Sequence, residues 1–293
     1  MNKFAVLLTC FNRKEKTIKA LNALHSAYNK ISREWEMSIY LTDDGSTDGT
    51  SDAVIKKFPK VNILKGSGSL YWAGGMRNSW TEAKKGDYGA YLLLNDDTNI
   101  HPDVFNKIFE TEKYCLKTFK EPGIYVGTTI DAESGKVSYG GSVFTNRFLG
   151  KMKRVHMDNK TPMSCELGNA NIMWVPKNVV EIIGILSPGY IHGMADYDYT
   201  MKAVKKKIPV LTLPGVSGEC INDHGEIYER FEKLSFKERV RFLYNPVGLD
   251  FSSQLYHMRR HFPIRLPLFY LMGWFKVIFP NIYAKKVYGS RVG

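Results

Sequence analysis

The stretch YLLLNDDT at residues 91–98 joins an apolar run to two adjacent carboxylates. Leu92, Leu93 and Leu94 are typical of a buried strand, whereas Asp96 and Asp97 follow with no basic residue beside them. Carboxylates this close repel each other, and burying an unpaired carboxylate is costly. The stretch therefore predicts a buried strand that ends where a positive charge is held.

Strand-like and helix-like segments alternate on both sides of this stretch. Apolar patterns predict strands and helices in the order 4–9 (strand), 14–30 (helix), 37–42 (strand), 51–58 (helix), 61–64 (strand), 76–85 (helix) and 90–94 (strand). This alternation is typical of an open, mostly parallel α/β sheet flanked by helices. Such sheets bind ligands beyond the carboxyl ends of their strands, so the polar clusters at 9–13, 43–50 and 95–98 are expected to converge.

The rest of the chain is less regular. Residues 138–144 (SYGGSVF) predict a strand or hairpin, residues 151–156 (KMKRVH) a basic loop, and residues 177–183 a short helix. We expect one α/β domain over 1–230 and a helical, basic and aromatic extension over 231–293.

The composition indicates a globular protein with an anionic partner. The 293 residues contain 41 Lys and Arg against 29 Asp and Glu, a net charge of +12. Nucleic acid, a phosphate-bearing small molecule or an acidic membrane surface would each complement that charge. Four scattered cysteines without metal-site spacing favour a reduced, cytoplasmic setting. The apolar run at 4–8 is too short for a signal peptide or a membrane span.

Four polar stretches could carry chemistry, and each also has a purely structural explanation. LTDDGSTDGT contains a second carboxylate pair, Asp43 and Asp44, but could simply cap the next helix. Glycines at 66–75, ahead of a helix whose first turn holds Arg77, could bind an anion or form a flexible loop. Asp196 and Asp198 could start a helix or supply a general base. The lone His224 could be structural or bind a metal ion.

Together these stretches resemble a known family. VLLTCFNR, LTDDGSTDGT, GGMRN, LLLNDDT and ADYDYTMKAVKKKI occur in the order expected of family 2 glycosyltransferases, inverting nucleotide-sugar enzymes with the GT-A fold. The resemblance covers about residues 3–225. It implies a nucleotide-sugar half over about 1–100, an acceptor half over about 101–230, and Mn²⁺ or Mg²⁺ as cofactor.

The resemblance also implies a role for individual residues. Asp97 would bind the metal ion together with His224, and Asp196 would be the catalytic base, with Asp198 as its rival. Residues expected to bind the nucleotide sugar are Thr9, Phe11, Asn12, Arg13, Asp43, Asp44, Ser46, Gly74, Arg77, Asn78, Asn95 and Asp96. The sequence departs from the family at Asn95, where the first aspartate of the DxD motif is expected, and at Ala195, where a Glu usually precedes the base.

The C-terminal extension adds an expectation about location. Residues 266–275 are uncharged and rich in apolar and aromatic side chains, with Arg259, Arg260, Arg265 and Lys276 around them. This pattern is typical of a helix lying at a membrane surface, and the alternatives are packing on the catalytic domain or a homodimer contact. Peripheral membrane contact through 259–286 would place the enzyme at the inner face of the cell membrane.

We therefore expect an inverting transferase that uses a UDP- or dTDP-sugar. Its acceptor would be a saccharide or lipid-linked saccharide of a bacterial surface polysaccharide. A nucleotidyltransferase on a similar sheet, a nucleic-acid-binding protein and a catalytically inactive carbohydrate-binding relative are the alternatives. No recognised nucleic-acid-binding motif is present, so nucleic acid is not expected among the partners.

Overall fold

The computed structural model describes residues 2–31, 34–221 and 231–283. Its strands, in chain order, are β1 (Asn2–Cys10), β2 (Trp35–Asp43), β3 (Asn62–Lys65), β4 (Ala90–Leu94), β5 (Asn99–Ile100), β6 (Ile124–Ile130), β7 (Val137–Tyr139), β8 (Gly141–Asn146), β9 (Lys151–Arg154), β10 (Met163–Ser164), β11 (Leu167–Gly168), β12 (Ile172–Pro176) and β13 (Val210–Glu219).

The helices lie between and after these strands. They are α1 (Lys14–Tyr28), α2 (Thr50–Lys57), α3 (Tyr71–Ala83), α4 (Val104–Phe119), α5 (Lys177–Ile183), α6 (Ala195–Lys205), α7 (Phe236–Tyr244), α8 (Phe251–His261), α9 (Leu266–Ile278) and α10 (Pro280–Tyr283), with 3₁₀ turns at Phe231–Lys233 and Pro263–Arg265.

The main sheet follows the order β10-β13-β6-β12-β4-β1-β2-β3. Strands β1 to β4 are mutually parallel where they pair, and Cys10 lies opposite Asp43, so the polar loops after these strands share one edge. Strand β12 is antiparallel to both of its neighbours, β4 and β6. The predicted mostly parallel α/β sheet flanked by helices is confirmed. A second sheet, β11-β8-β9, lies outside this order.

The apolar runs form the core around β4. All five residues of β4 are buried, as expected for a central strand covered on both faces. Leu92 and Leu94 belong to a cluster with Phe4 and Trp174, and the rings of the last two lie 5.3 Å apart. Helix α1 buries Leu21, Leu24 and Ala27 at helical spacing against the same core. This packing fixes the carboxyl ends of β1 and β4 next to each other.

Two local predictions are wrong. Helix α3 starts at Tyr71, so Gly74 and Gly75 lie within it and Arg77 is in its second turn. Its glycines are explained by packing, because a Cβ at Gly75 would stand 2.0 Å from Thr9 Oγ1. Residues 151–154 form the strand β9 rather than a loop, because they pair with β8.

The described residues form two compact units. The first comprises 2–187 with 195–221, and the second comprises 188–194 with 231–283. Within the second unit, Asp250 accepts a hydrogen bond from the Gly193 N–H at 2.9 Å, and Ser253 accepts one from the Ile191 N–H at 3.1 Å. None of the described helices is long and apolar enough to cross a membrane.

Candidate functional site

The loops after β1 and β2 are joined by hydrogen bonds. Asn12, with a φ of 50°, donates its N–H to Ser46 Oγ at 2.9 Å and accepts the Thr47 N–H at 2.7 Å. Thr9, just before this loop, is buried, whereas the Phe11 side chain is exposed. The predicted nucleotide-binding residues of these two loops therefore share one surface.

The carboxylates of Asp43 and Asp44 hold backbone in place. Asp43 accepts the Ser46 N–H at 2.8 Å and the Ser51 hydroxyl, and Asp44 accepts the Gly68 and Tyr71 N–H groups, each at 2.8 Å. Tyr71 is the first residue of α3, so Asp44 satisfies an N–H group at that helix start. Both side chains are buried, and all four of their oxygens have a donor.

Arg77 and Asn78 point into the protein. The Arg77 guanidinium donates to the Ser187 carbonyl at 3.0 Å, and its burial lowers the pKa of Arg77. Asn78 donates to Thr42 Oγ1 at 3.2 Å. Gly74, one turn before Asn78, allows a close approach, since a Cβ there would lie 3.1 Å from the Leu70 side chain.

The turn after β4 holds the second carboxylate pair beside an arginine. Arg13 Nη1 lies 2.7 Å from Asp97 Oδ2 and 3.4 Å from Asp96 Oδ1. Asp96 also accepts the Thr17 hydroxyl at 3.4 Å. The polar clusters at 9–13, 43–50 and 95–98 thus converge as predicted, and Arg13 supplies the positive charge that the sequence demanded.

Asp96 is the more buried carboxylate of this pair. Burial raises the pKa of Asp96 to about 7, with Arg13 opposing that rise and Asp97 adding to it. At Asn95, which replaces the expected first aspartate, the side-chain oxygen accepts the indole N–H of Trp72 at 2.7 Å. The amide at position 95 therefore contacts α3.

The segment Asn169-Ala170-Asn171 connects this turn to Asp196. The Asn171 carbonyl accepts the Asn95 N–H at 3.2 Å. On the other side, Asn169 Nδ2 and the Ala170 N–H approach Asp196 Oδ2 at 3.4 and 3.3 Å. Three consecutive residues thus contact both the carboxylate turn and the predicted base.

The two aspartates of α6 lie in different surroundings. Asp196 is half-buried, and this burial raises the pKa of its carboxyl group. Asp198 is fully buried and accepts the Ser187 hydroxyl at 2.6 Å, on the same residue whose carbonyl binds Arg77. Of these two side chains, only that of Asp196 is partly exposed to solvent.

Sequence reasoning missed three contributors to this site. Asn169 and Asn171 occur in GNANIMWVP, which was interpreted only as an apolar strand, although its asparagines are a signal for polar contacts. Cys220 lies 3.6 Å from Asp97 Oδ1, and burial raises the pKa of its thiol to about 12, so it stays protonated. His224 lies outside the described residues.

A divalent cation fits Asp96 and Asp97 only with help from a ligand. Carboxylate oxygens suit Mg²⁺ and Mn²⁺, and proteins often bind these ions through one or two carboxylates plus substrate phosphates. The described residues contain no group of three or more His, Cys, Asp or Glu side chains that could hold an ion. The chemistry of this donor pair therefore matches an ion shared with a diphosphate.

Comparisons with known proteins bear on the family and the fold. The sequence profile of the family described as Glycosyl transferase family 2 matches residues 5–151, half of the chain. No curated protein sequence matches the chain.

Solved structures share the fold at low sequence identity. A mannosyltransferase from Pyrobaculum calidifontis, in complex with GDP-Man and Mn²⁺, matches with a TM-score of 0.53 and 14% identity, over 81% of this chain and 64% of its own. Residues 1–349 of S. aureus TarS match with a TM-score of 0.53 and 14% identity, over 97% of this chain and 75% of that structure. The complex of TarS with UDP-GlcNAc matches with a TM-score of 0.50 and 15% identity, over 83% of this chain and 67% of that structure. This chain spans 64% of the mannosyltransferase and 40% of a longer TarS structure.

Proposed function

This chain belongs to glycosyl transferase family 2, and we propose that it transfers a sugar from a nucleotide-diphosphate donor to an acceptor hydroxyl, with inversion at the anomeric carbon. The fold is that of the GT-A glycosyltransferases. One observation carries the proposal: residues 169–171 contact both Asp196 and the turn that carries Asp97. That arrangement suits a base on one side of a sugar whose diphosphate leaves on the other.

The loops after β1 and β2 would bind the nucleoside. Asp43 would recognise the nucleobase of the donor, and Asn12, Ser46 and Thr9 would line the same surface. Because Asp43 accepts two hydrogen bonds from Ser46 and Ser51, and Asp44 accepts two from Gly68 and Tyr71 ahead of α3, the loop after β2 keeps its shape before the donor arrives. The relatives named above bind GDP-Man and UDP-GlcNAc, so UDP-, dTDP- and GDP-sugars are the candidate donors.

Asp97, with Asp96 beside it, would hold a divalent cation together with the donor. The cation would supply positive charge that stabilises the departing diphosphate. Arg13 lies against both carboxylates and is placed to transfer its hydrogen bonds from them to donor phosphates. Arg77 donates to the carbonyl of Ser187, and the hydroxyl of Ser187 binds Asp198 in α6. We therefore assign Arg77 a role in positioning α6, in addition to the expected role near the diphosphate.

Asp196 would take the proton of the acceptor hydroxyl as that oxygen attacks C1 of the sugar. The new C1–O bond forms as the bond from C1 to the phosphate oxygen breaks, and the nucleoside diphosphate leaves. Burial favours this role because a raised pKa makes the carboxylate a stronger base near neutral pH. The hydrogen bonds from Tyr197, Ala170 and Asn169 keep it oriented.

The second unit would bind an acidic membrane surface through α9. Leu268 and Leu271 are more than half exposed on this helix, and Ile264 just before it is 82% exposed. Arg259, Arg260 and Arg265 lie close in sequence, so an apolar face is combined with positive charge. This location would suit an enzyme that extends a lipid-linked saccharide of a bacterial surface polysaccharide at the inner face of the cell membrane.

A donor screen tests the first part of the proposal. Calorimetric titration with UDP-, dTDP- and GDP-sugars in the presence of Mn²⁺ should identify one class that binds, and slow hydrolysis should release the nucleoside diphosphate. A nucleotidyltransferase would instead release pyrophosphate from a nucleoside triphosphate. Failure of every nucleotide sugar to bind would refute the proposed function.

Asp196→Asn tests the base, and Asp198→Asn is its matched control. The first variant should lower kcat for donor hydrolysis by about 10³-fold while the donor dissociation constant changes little. The second variant should mainly lower the melting temperature, because Asp198 is buried against Ser187. Loss of kcat in Asp198→Asn alone would assign the base to Asp198.

Vesicle sedimentation tests the membrane contact. The protein should co-sediment with phosphatidylglycerol vesicles but not with phosphatidylcholine vesicles, and Leu268→Gln/Leu271→Gln should abolish this binding. Ile55→Gln/Ile182→Gln, which changes two exposed residues of the first unit, should not. A dimer that dissociates in the α9 variant, with no vesicle binding by the wild type, would show that a second copy covers this face.

A further inference from the structure

The hairpin formed by β8 and β9 carries a concentrated positive charge. Residues 141–154 contain Arg147, Lys151, Lys153 and Arg154 and no acidic residue. All four residues of β9 are exposed. The proposed transfer gives this charge no role, although it accounts for a third of the net charge of +12.

Among the described residues, two of these charges, Lys151 and Lys153, have neither an ion pair nor a side-chain hydrogen bond. Arg147 forms an ion pair with Glu166, and Arg154 donates to the carbonyls of Val137 and Ser138, the second at 2.9 Å. Among the described residues, no carboxylate forms an ion pair with Lys151 or Lys153. Alternate residues of a strand point to the same face about 7 Å apart, so these two ammonium groups reinforce each other.

A cavity of about 310 Å³ lies at the end of β9. Arg154 and His156 line it together with Thr128, Gly140 and Gly141. This volume is at the lower end of the range for small-molecule sites and is sufficient for a sugar residue. A ligand in the cavity would therefore be beside the basic strand.

The cavity wall is one side chain away from Asp196. Asn169 accepts the N–H of the cavity residue Gly140 at 3.3 Å and places its own amide nitrogen 3.4 Å from Asp196. Arg154 is close enough to oppose the burial that raises the pKa of Tyr197, the residue next to Asp196, to about 12. The cavity residue Gly140 and the predicted base Asp196 thus contact the same side chain, that of Asn169.

We propose that the acceptor is a phosphate-bearing saccharide whose reacting sugar occupies this cavity and whose phosphate binds Lys151 and Lys153. This inference rests on the proposed function. A neutral acceptor would gain nothing from two unpaired ammonium groups, whereas phosphate oxygens accept hydrogen bonds from Lys. Phe148 and Leu149 are exposed at the hairpin turn, which would also suit a lipid-linked phosphate.

The test is calorimetric titration with the donor site already filled by saturating nucleoside diphosphate. The probes are N-acetylglucosamine 1-phosphate, neutral methyl N-acetylglucosaminide and citronellyl-pyrophosphoryl-N-acetylglucosamine. Both phosphate probes should bind at least fivefold more tightly than the neutral probe. Tighter binding of the citronellyl probe than of the 1-phosphate would identify the acceptor as a lipid pyrophosphate. Equal binding of the two probes would identify it as a soluble phosphate-bearing saccharide.

Two charge variants separate local binding from net charge. Lys151→Gln/Lys153→Gln should weaken binding of both phosphate probes at least fivefold and leave the neutral probe unchanged. Lys113→Gln/Lys117→Gln on α4 removes two positive charges elsewhere. It should change the binding of neither the phosphate probes nor the neutral probe. Raising the salt concentration should weaken phosphate binding by the wild type more than by the hairpin variant.

Three results would overturn the inference while nucleoside diphosphate still binds: equal affinity for the neutral and phosphate probes, no binding of any probe, or an unchanged hairpin variant. In each case the proposed transfer would survive. Failure of every nucleotide to bind would instead refute the transfer and the acceptor together.

Discussion

The two carboxylate pairs, Asp43-Asp44 after β2 and Asp96-Asp97 after β4, look alike in sequence but have different partners. The first pair accepts hydrogen bonds from three backbone N–H groups and a serine hydroxyl. The second pair contacts the side chains of Arg13, Thr17 and Cys220. One pair is therefore fixed by the backbone and the other by side chains that can move.

This difference separates structural carboxylates from exchangeable ones. Backbone N–H groups cannot leave Asp44 without unfolding the start of α3. A guanidinium can rotate away from Asp97 when a cation and a diphosphate arrive, because its charge is then replaced. Substitution of Asp44 should therefore change stability, whereas substitution in the second pair should change ligand binding.

The largest expected effect is on turnover by Asp97→Asn. We expect kcat for donor hydrolysis to fall by about 10³-fold, because the carboxylate that would hold the cation loses its charge. The melting temperature should stay within a few degrees of the wild type. A large loss of stability with normal kcat would show that the second pair is as structural as the first.

Asp44→Ala should produce the opposite result. Loss of two charge-assisted hydrogen bonds, to Gly68 and Tyr71, should lower the free energy of unfolding by about 3 kcal/mol. Urea denaturation would measure this change, and Asp52→Ala, an exposed carboxylate on α2, is the control. Unaltered stability would contradict the structural role of Asp44.

Arg13→Gln should sharpen the view of the second pair. Removing the guanidinium frees Asp97 and should increase Mn²⁺ affinity about tenfold in the absence of donor, measured as free Mn²⁺ by electron paramagnetic resonance. The neighbouring substitution Lys14→Gln should have little effect, because no ion pair joins Lys14 to Asp97 among the described residues. Weaker Mn²⁺ binding by Arg13→Gln would show that Arg13 does not compete with the cation.

The smallest effect is expected for Asn95→Asp, which restores the usual first aspartate. Because the side-chain oxygen at position 95 accepts the Trp72 indole N–H, Mn²⁺ affinity should change by less than about threefold. The same resonance measurement applies. A tenfold gain would mean that residue 95 reaches the cation.

Much of the fold follows from local patterns. The strand at 90–94 and the helix at 177–183 have the predicted bounds, because their apolar runs are bounded by polar residues and proline. The predicted start of α3 was wrong because the helix begins earlier, at Tyr71, whose N–H binds Asp44, 27 residues before it in the chain. The prediction of a loop at β9 was wrong because the charged residues there give no strand signal of their own. They form a strand by pairing with β8.

The candidate site divides in the same way. Asp96, Asp97 and Asp196 could be singled out as candidates because charged residues at strand and helix ends are visible in a local pattern. Asn169, Asn171 and Cys220 were not, since their contacts involve residues 27 to 123 positions away.

The sequence by itself determined the α/β alternation, the polar loops at the strand ends and the need for a positive charge beside Asp96 and Asp97. Hydrophobic periodicity and charge repulsion are local properties, so they can be read along the chain. Only the tertiary structure decided that Arg13 supplies that charge and that Asn169 joins Asp196 to a cavity beside a basic strand. Those contacts depend on which loops the sheet order brings together, and distance along the chain does not reveal that order.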